Sequence, residues 1–320
     1  MQASYVPLNQ CHLFSLSHPT RKNHLNQADA WPDPMEVLQL LESSRLFFVI
    51  ATGALGLIVG SFLNVVIYRL PVMMERTWTR ECEEHAGESA DTGEPEHFNL
   101  LTPASRCPQC NHRVTAAENI PVISYLFLRG RCSDCGSTIS MRYPAVEITT
   151  AILSVVTALH FGYSMQTLAA LGFTWALIPL FLIDFDHQIL PDSITLPLLW
   201  SGLLLSLFSL FTDSHSSIVG AAAGYLCLWA IFHIFKLVTG KEGMGYGDFK
   251  LLGAIGAWTG WQALPVVILF SSVVGAAIGI TLILFKGRDH SQPMPFGPFL
   301  AAAGWMTLLW GNDIIRLYLQ

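Results

Sequence analysis

The chain has 320 residues, of which 52% are hydrophobic and 12% are charged. Soluble globular domains carry about 25% charged residues, so this composition excludes an ordinary soluble domain. The net charge of −6 comes without an acidic or basic tail, so the sequence predicts no nucleic-acid partner.

The N-terminal part of the chain divides into three segments. Residues 1–45 are polar and lack the charged start and apolar core of a signal peptide, and the sequence assigns them no role. Residues 46–70 form the first long apolar stretch, which is long enough to cross about 30 Å of hydrocarbon as a helix. Residues 71–143 follow as a polar domain.

Residues 144–320 are nearly all apolar and predict a membrane-embedded domain. Counting 46–70, about eight transmembrane helices are predicted in an all-α polytopic membrane protein, whose partner is the lipid bilayer. The segment near 250–262 is short for a span, and a glycine-rich half-helix is the competing interpretation. The further spans lie near 145–162, 167–183, 194–212, 217–238, 250–262, 264–285 and 296–312.

Lysine and arginine residues indicate the orientation of these spans. The 71–143 segment holds seven arginines, whereas the short loops 163–166 and 213–216 hold neither lysine nor arginine. Positive charge accumulates in cytosolic loops, so the pattern places 71–143 in the cytosol between the first two spans. Loops on the same side would be those near 184–193, 239–249 and 286–295.

Four cysteines in the cytosolic segment have the spacing of a metal site. Cys107 and Cys110 form one C-x-x-C pair, and Cys132 and Cys135 form a second after 21 residues. Two such pairs suit a tetrahedral four-thiolate zinc site, which is structural because the protein fills every ligand position. The alternatives are a redox dithiol or disulfides, and disulfides would need the opposite orientation.

Aspartates form the second constellation, at two turns on the predicted cytosolic face. Asp184, Asp186 and Asp192 lie between the third and fourth spans, and Asp248 lies between the fifth and sixth. Two carboxyl groups brought together at a low-dielectric edge share one proton, which provides a base to activate water and an acid to protonate a leaving group.

Glycines accompany Asp248 at positions 243, 245 and 247, where they permit close backbone approach or a positive φ. The alternative is that these are polar turns in which aspartate caps the following helix. For Asp192, capping and catalysis are equally well supported. Asp186 competes with Asp184 as the partner of Asp248.

Taken together, these motifs resemble the bacterial type IV prepilin peptidases, or prepilin leader peptidase/N-methyltransferases. The resemblance runs from about residue 46 to the C-terminus, and its motifs are long and ordered. The matching residues are those at 60–71, 118–121, 142–144 and 295–298, the two C-x-x-C pairs, the Asp184 segment and residues 245–250.

The resemblance implies an intramembrane aspartyl protease in the bacterial inner membrane, with its active site facing the cytosol. Its substrates would be prepilins and pilin-like secretion subunits (pseudopilins), and it would methylate the new N-terminal residue with S-adenosylmethionine. The family motif places the catalytic pair at Asp184 and Asp248, supported by Gly245 and Gly247, and methyl transfer at Gly130. The sequence does not indicate an oligomeric state.

Two other functions are compatible with parts of the sequence. A transporter with a zinc-binding cytosolic loop would use intramembrane carboxylates as ion ligands. Such a protein predicts inverted repeats and charges near the midplane, whereas this sequence has no obvious repeat and its aspartates lie at the predicted membrane edges. A non-catalytic assembly factor would use the zinc domain to dock partners and should tolerate asparagine at Asp184 and Asp248.

Overall fold

The structure, a computed structural model, describes residues 34–86, 98–241, 244–286 and 295–319. Most of the N-terminal segment, Gly243 and most of the loop expected at 286–295 lie outside these residues. Within the described ranges the chain is helical, and β pairing is limited to isolated bridges beside the cysteines. The helices are α1 (Pro34–Ser43), α2 (Arg45–Ala86), α3 (Ile123–Phe127), α4 (Arg142–Phe161), α5 (Met165–His187), α6 (Asp192–Ser206), α7 (Ser214–Thr239), α8 (Tyr246–Thr259), α9 (Leu264–Lys286) and α10 (Gly297–Leu319).

Five helices in the described ranges are long and apolar enough to cross a membrane, which confirms a helical protein with several spans. They are α2, α4, α5, α7 and the segment Trp261–Leu282. The predicted count of eight is not confirmed. The helices α6 and α8 have 15 and 14 residues, fewer than the roughly 20 that a span needs.

The first apolar stretch is part of a longer helix than the sequence predicted. Helix α2 runs for 42 residues, with Pro71 inside it, and continues into the segment assigned to the polar domain. Two glycines of α2 lie against α4, because a Cβ on Gly56 would be 2.8 Å from Ala151 Cα and one on Gly60 would be 2.8 Å from Glu147 Cα. These small residues let the two backbones approach closely.

Helix α8 lies inside the bundle, in contact with α6, α7 and α10. Every residue from Phe249 to Trp258 except the half-buried Lys250 is buried. A Cβ on Gly224 of α7 would be 2.6 Å from the Leu252 carbonyl oxygen, and Gly220 and Gly256 approach even more closely. The short, glycine-rich helix therefore packs among other helices rather than against lipid.

Two clusters of buried apolar side chains hold the bundle together. The larger joins α5, α6, α7, α8, α9 and α10, and the smaller joins α2, α4 and α5. Because α5 contributes to both clusters, its orientation is fixed from two sides. The C-terminal end of α5 and the N-terminal end of α8 lie at the same end of the bundle, where a Cβ on Gly247 would be 2.8 Å from Leu190 Cβ.

Candidate active site

Asp184 lies in the last turn of α5, which ends at His187. The next residue, Gln188, adopts the left-handed conformation, and its N–H donates to the Asp184 carbonyl oxygen at 2.9 Å. Leu180 and Ile183 are fully buried, and residues spaced three and four apart share a helix face. This face carries Asp184 into the interior, where the residue is 5% exposed.

Asp248 lies in the first turn of α8, behind Gly245 at the N-cap. The Asp248 N–H donates to the Gly245 carbonyl oxygen at 3.3 Å, and the Gly245 N–H faces the Asp248 carboxyl group. The neighbouring Phe249 is fully buried, with its ring centroid 5.9 Å from that of Tyr225 and 5.7 Å from that of Phe232. These aromatic contacts with α7 hold the first turn of α8 in the core, so Asp248 is only 6% exposed.

The two aspartates share a property that no other buried side chain in the described ranges has. Asp184 Oδ2 and Asp248 Oδ1 are buried and lack a hydrogen-bond partner. The two carboxyl groups are also close enough for the charge of one to act on the other. Leaving a buried polar group unpaired costs about 1–3 kcal/mol, so such groups in native proteins need an explanation. Binding of a water molecule and a peptide group would satisfy both atoms.

The competing aspartates are engaged differently. Asp186 forms an ion pair with Arg142 at the start of α4, and its side chain is 26% exposed. Asp192 is the first residue of α6, where Pro191 holds the N-cap position, so its carboxylate does not cap the helix. Instead, Lys250 Nζ donates to both Asp192 oxygens, at 2.8 and 2.7 Å. The geometry therefore distinguishes two neutralised surface carboxylates from the buried pair.

The structure also brings Gly297 and Leu190 to the site, and the sequence assigned no role to either residue. Gly297 begins α10, and its backbone N–H faces the Asp184 carboxyl group. A Cβ on Gly297 would be 2.6 Å from Asp184 Oδ2 and 3.2 Å from Leu190 Cδ1. Gly297 belongs to the Pro295–Pro298 stretch that contributed to the resemblance, and this apolar Pro-Phe-Gly-Pro turn was the only signal for it.

The glycines before Asp248 differ in what they contribute. A Cβ on Gly247 would lie 2.8 Å from Leu190 Cβ, so the absence of a side chain is needed for close approach. Gly245 has an ordinary φ of −83°, and a Cβ there would meet only the Gly247 nitrogen, at 4.0 Å. Neither has a positive φ, so of the two predicted reasons for glycine only close approach applies, and only at Gly247.

The four cysteines of the predicted zinc site come together. Their sulfur atoms all lie within 4.8 Å of one another, with 3.8 Å between Cys107 and Cys135 and 3.9 Å between Cys110 and Cys132. A tetrahedral zinc with Zn–S bonds of about 2.3 Å separates its sulfurs by about 3.8 Å, so the donor set fits zinc.

The two cysteine pairs are built as repeated turns. The Cys107 N–H donates to the His112 carbonyl oxygen at 2.9 Å, and the Cys132 N–H donates to that of Ser137 at 2.8 Å. A left-handed residue follows each pair, Asn111 with φ 58° and Gly136 with φ 71°. This repetition places two sulfurs on each turn, which is the arrangement that a four-thiolate site requires.

Hydrogen bonds near the sulfurs favour thiolate at some of these cysteines. Backbone N–H groups at Cys110 and the Ser137 hydroxyl lower the pKa of Cys107 to about 6, and Ser137 also lowers the pKa of Cys135. A backbone hydrogen bond at His112 acts in the same direction on Cys110, but burial and the neighbouring sulfurs raise the pKa of Cys110 to about 12. A cation between the sulfurs would offset this mutual repulsion.

Glu118 joins the two cysteine turns. Its carboxylate accepts hydrogen bonds from Ser133 of the second turn and from the Thr115 N–H and hydroxyl, both at 2.8 Å, and lies 3.3 Å from the His112 ring. The Ser133 and Thr115 hydrogen bonds lower the pKa of Glu118 to about 2. The negative charge therefore persists at neutral pH and holds both turns.

Gly130 lies in the loop between α3 and Cys132, in the left-handed conformation with φ 68°. Its N–H donates to the Tyr125 carbonyl oxygen at 2.9 Å, and a Cβ would be 2.8 Å from Tyr125 Oη. Glycine is thus required here both by backbone conformation and by packing. Gly130 contributes backbone alone, so its geometry fits a role in shaping this loop.

Comparisons with known proteins place the chain in a family. The family model described as the bacterial peptidase A24 N-terminal domain matches residues 54–161, and that of the type IV leader peptidase family matches residues 171–280. No solved structure matches the chain.

Similar curated proteins carry the name prepilin leader peptidase/N-methyltransferase. That of Stutzerimonas stutzeri is 52% identical over 89% of this chain and 99% of its own length. The Pseudomonas aeruginosa protein is 52% identical over 89% of this chain and 98% of its own length, and that of Aeromonas salmonicida is 56% identical over 83% and 91%. The chain therefore belongs to the type IV leader peptidase family.

Proposed function

We propose that this chain cleaves the leader peptide from type IV prepilins and pilin-like secretion subunits and then methylates the new N-terminal residue. Membership of the family supports both activities, because relatives at 52% identity over most of the chain are named for both. The chain is a bifunctional enzyme, a leader peptidase and an N-methyltransferase. Geometry and sequence motifs support the residues proposed for each reaction.

Asp184 and Asp248 are the proposed catalytic pair. The observation that carries this assignment is the pair of buried carboxyl oxygens that lack a hydrogen-bond partner in the described ranges. Two buried carboxyl groups that interact with each other are expected to share one proton, because both cannot be ionised comfortably in a low-dielectric site. The pair thus contains a base and an acid at the same time.

Cleavage by this pair needs no covalent intermediate with the enzyme. The ionised carboxylate takes a proton from a water molecule, whose oxygen attacks the carbon of the scissile peptide bond. The protonated carboxyl group donates its proton to the leaving nitrogen as the C–N bond breaks. The products are the leader's new carboxylate and the free amine of the mature subunit, and the freed amine is the group that is then methylated.

The segment 71–143 is the proposed site of the second reaction, methyl transfer. The four cysteines are the proposed ligands of one structural zinc ion, which would hold the two turns against each other. S-adenosylmethionine is the proposed methyl donor, and it supplies an electrophilic methyl group to the amine. Gly130 is proposed to shape the loop in which methyl transfer takes place, since it offers no side chain to the donor.

The proposed topology has eight membrane-embedded helices, with the cysteine segment and both aspartates on the cytosolic side of the inner membrane. Alternating positive charge supports this orientation. Five helices in the described ranges have the length and hydropathy of a span. The other three are α6, which is short, α8, which is buried, and α10, which carries Asp313 and Arg316 near its end. The proposed domains are the N-terminal segment 1–45, the first span 46–70, the zinc domain 71–143 and the protease domain 144–320.

Incubating the purified full chain with a prepilin in detergent or lipid tests the function. The mass of the product should fall by that of the leader and, when S-adenosylmethionine is present, rise again by one methyl group. An unchanged prepilin mass after incubation with folded, zinc-loaded protein would refute the proposal. Substituting asparagine for Asp184 or Asp248 separates an enzyme from a transporter or a scaffold. Only the enzyme has a cleavage activity that these substitutions would remove.

A further inference from the structure

The N-terminus of α10 closes one side of the proposed catalytic pair. Asp184 is only 5% exposed. Its Oδ2 atom lies 2.6 Å from the position that a Cβ on Gly297 would occupy. The first backbone N–H of α10 faces the same carboxyl group. The N-terminus of a helix carries a partial positive charge, which favours a nearby carboxylate. The N-terminus of α10 therefore lies beside the unpartnered Oδ2 atom of Asp184.

Leu190 lies between the glycines of both turns. Its Cδ1 atom would be 3.2 Å from a Cβ on Gly297 and 3.2 Å from a Cβ on Gly247. Gly297 starts the helix beside Asp184, and Gly247 precedes Asp248 in α8. One leucine side chain thus sets the separation between the two backbone segments that flank the carboxyl groups.

We propose that Gly297 is a positioning residue for peptide cleavage, and that it acts by letting α10 hold the Asp184 carboxyl group toward Asp248. This inference rests on the assignment of Asp184 and Asp248 as the catalytic pair. A Cβ at Gly297 would need about 0.8 Å more room to reach the 3.4 Å of an ordinary contact with Oδ2. The Asp184 Cγ atom, at 3.0 Å, blocks the simplest adjustment, so the whole carboxyl group must move.

A displacement of this size is large for catalysis. A misplacement of about 1 Å can lower a rate by about 10²-fold, because proton transfer depends on the alignment of the groups. Alignment of the carboxyl group matters for proton transfer in the transition state, so its loss should lower kcat and kcat/KM together. We therefore expect Gly297→Ala to lower kcat for cleavage by on the order of 10²-fold, with KM for prepilin changed by less than about threefold.

Gly304 provides a matched control within the same helix. A Cβ there would be 2.7 Å from Ile255 Cδ1, nearly the same overlap as at Gly297, but against a buried apolar side chain that lies seven residues along α8 from Asp248. Gly304→Ala therefore reproduces the damage to α10 packing without touching a carboxyl group. Its cleavage kcat should stay within a few-fold of the parent enzyme.

The experiment compares Gly297→Ala, Gly304→Ala and Asp184→Asn as full chains in lipid. Cleavage of prepilin is measured alongside methylation of an already cleaved pilin, which reports on folding without using the aspartates. Selective loss of cleavage kcat in Gly297→Ala, with normal methylation, supports the inference. Equal losses of both activities, or equal effects of Gly297→Ala and Gly304→Ala, overturn it.

Leu190→Ala gives a second route if Gly297→Ala accumulates poorly. This substitution removes atoms from the same contact and introduces no clash, so we expect normal methylation and a several-fold lower cleavage kcat. A normal kcat in Leu190→Ala would count against the positioning role. Asp184→Asn distinguishes a wrong catalytic pair from a wrong role for Gly297. If it still cleaves prepilin, the catalytic pair itself is wrong, whereas an inactive Asp184→Asn beside an unaffected Gly297→Ala refutes only the role of Gly297.

Discussion

The two aspartates at the end of α5 lie two residues apart, and asparagine at each of them should have very different effects. Asp184 is 5% exposed and has an unpartnered oxygen, whereas Asp186 forms an ion pair with Arg142 at a partly exposed site. An amide can neither take a proton from water nor donate an acidic one. Asp184→Asn therefore removes the proposed general acid or base, whereas Asp186→Asn removes an ion pair.

The magnitudes separate the two substitutions clearly. A general acid or base contributes about 10²–10⁴-fold to a rate, so Asp184→Asn should lower the cleavage kcat by at least 10²-fold. An exposed ion pair contributes about 0–1 kcal/mol, because solvent screens it, and at most about fivefold in a rate if all of that energy were lost in the transition state. The side chains of Arg142 and Asp186 are 45% and 26% exposed, which supports the low end of this range.

The assay is single-turnover cleavage of a prepilin by each variant in lipid, with zinc content and methylation of a cleaved pilin as controls for folding. Asp192→Asn is the matched surface control, since Lys250 neutralises that carboxylate, and it should keep most activity. Asp184→Asn combined with Asp248→Asn should be hardly worse than either alone, because residues that act as one unit are not additive. An active Asp184→Asn beside an inactive Asp186→Asn would refute the assignment of the pair, and normal rates in both Asp184→Asn and Asp248→Asn would refute the aspartyl mechanism.

Three further outcomes are expected. Gly247→Ala should lower cleavage severely because its Cβ would overlap Leu190, while Gly245→Ala should keep most activity because that position has room; the reverse order in a prepilin assay would contradict the geometry. Purified protein should carry about one zinc per chain by elemental analysis, and Cys107→Ser should lower this content, so full occupancy in that variant would remove the cysteine from the ligand set. A reporter fused near Ser214 should read periplasmic, and a cytosolic signal there would reverse the proposed orientation.

The sequence predicted the parts of the structure that depend on local patterns. Long apolar runs identified α4, α5 and α7 closely, because a helix in hydrocarbon must satisfy its own backbone hydrogen bonds and needs a minimum length. The paired C-x-x-C motifs likewise identified four sulfurs that converge, since each short turn constrains two ligands at once.

Other features depended on neighbours that are distant in sequence, and the sequence did not predict them. The polar end of α2 continues as helix to Ala86, which hydropathy alone could not distinguish from the start of a separate domain. The contact between Gly297 and Asp184 joins residues more than a hundred positions apart. Glycine also has no side chain from which a chemical role could be predicted. The preference for Asp184 over Asp186 came from a motif, and only the burial and pairing of each side chain supply its physical basis.

The burial of α8 has a consequence for how the protein is made. A helix of 14 residues extends about 21 Å, too short to cross the hydrocarbon unaided, and most of its surface contacts other helices. During synthesis α8 therefore gains a stable position only by docking against α6 and α7, which precede it. Gly297, the proposed positioning residue, follows much later, at the start of α10. If Gly297 positions Asp184 as proposed, a nascent chain that ends before Gly297 would insert its apolar helices but lack this contact, and cleavage activity would arise only near the end of translation.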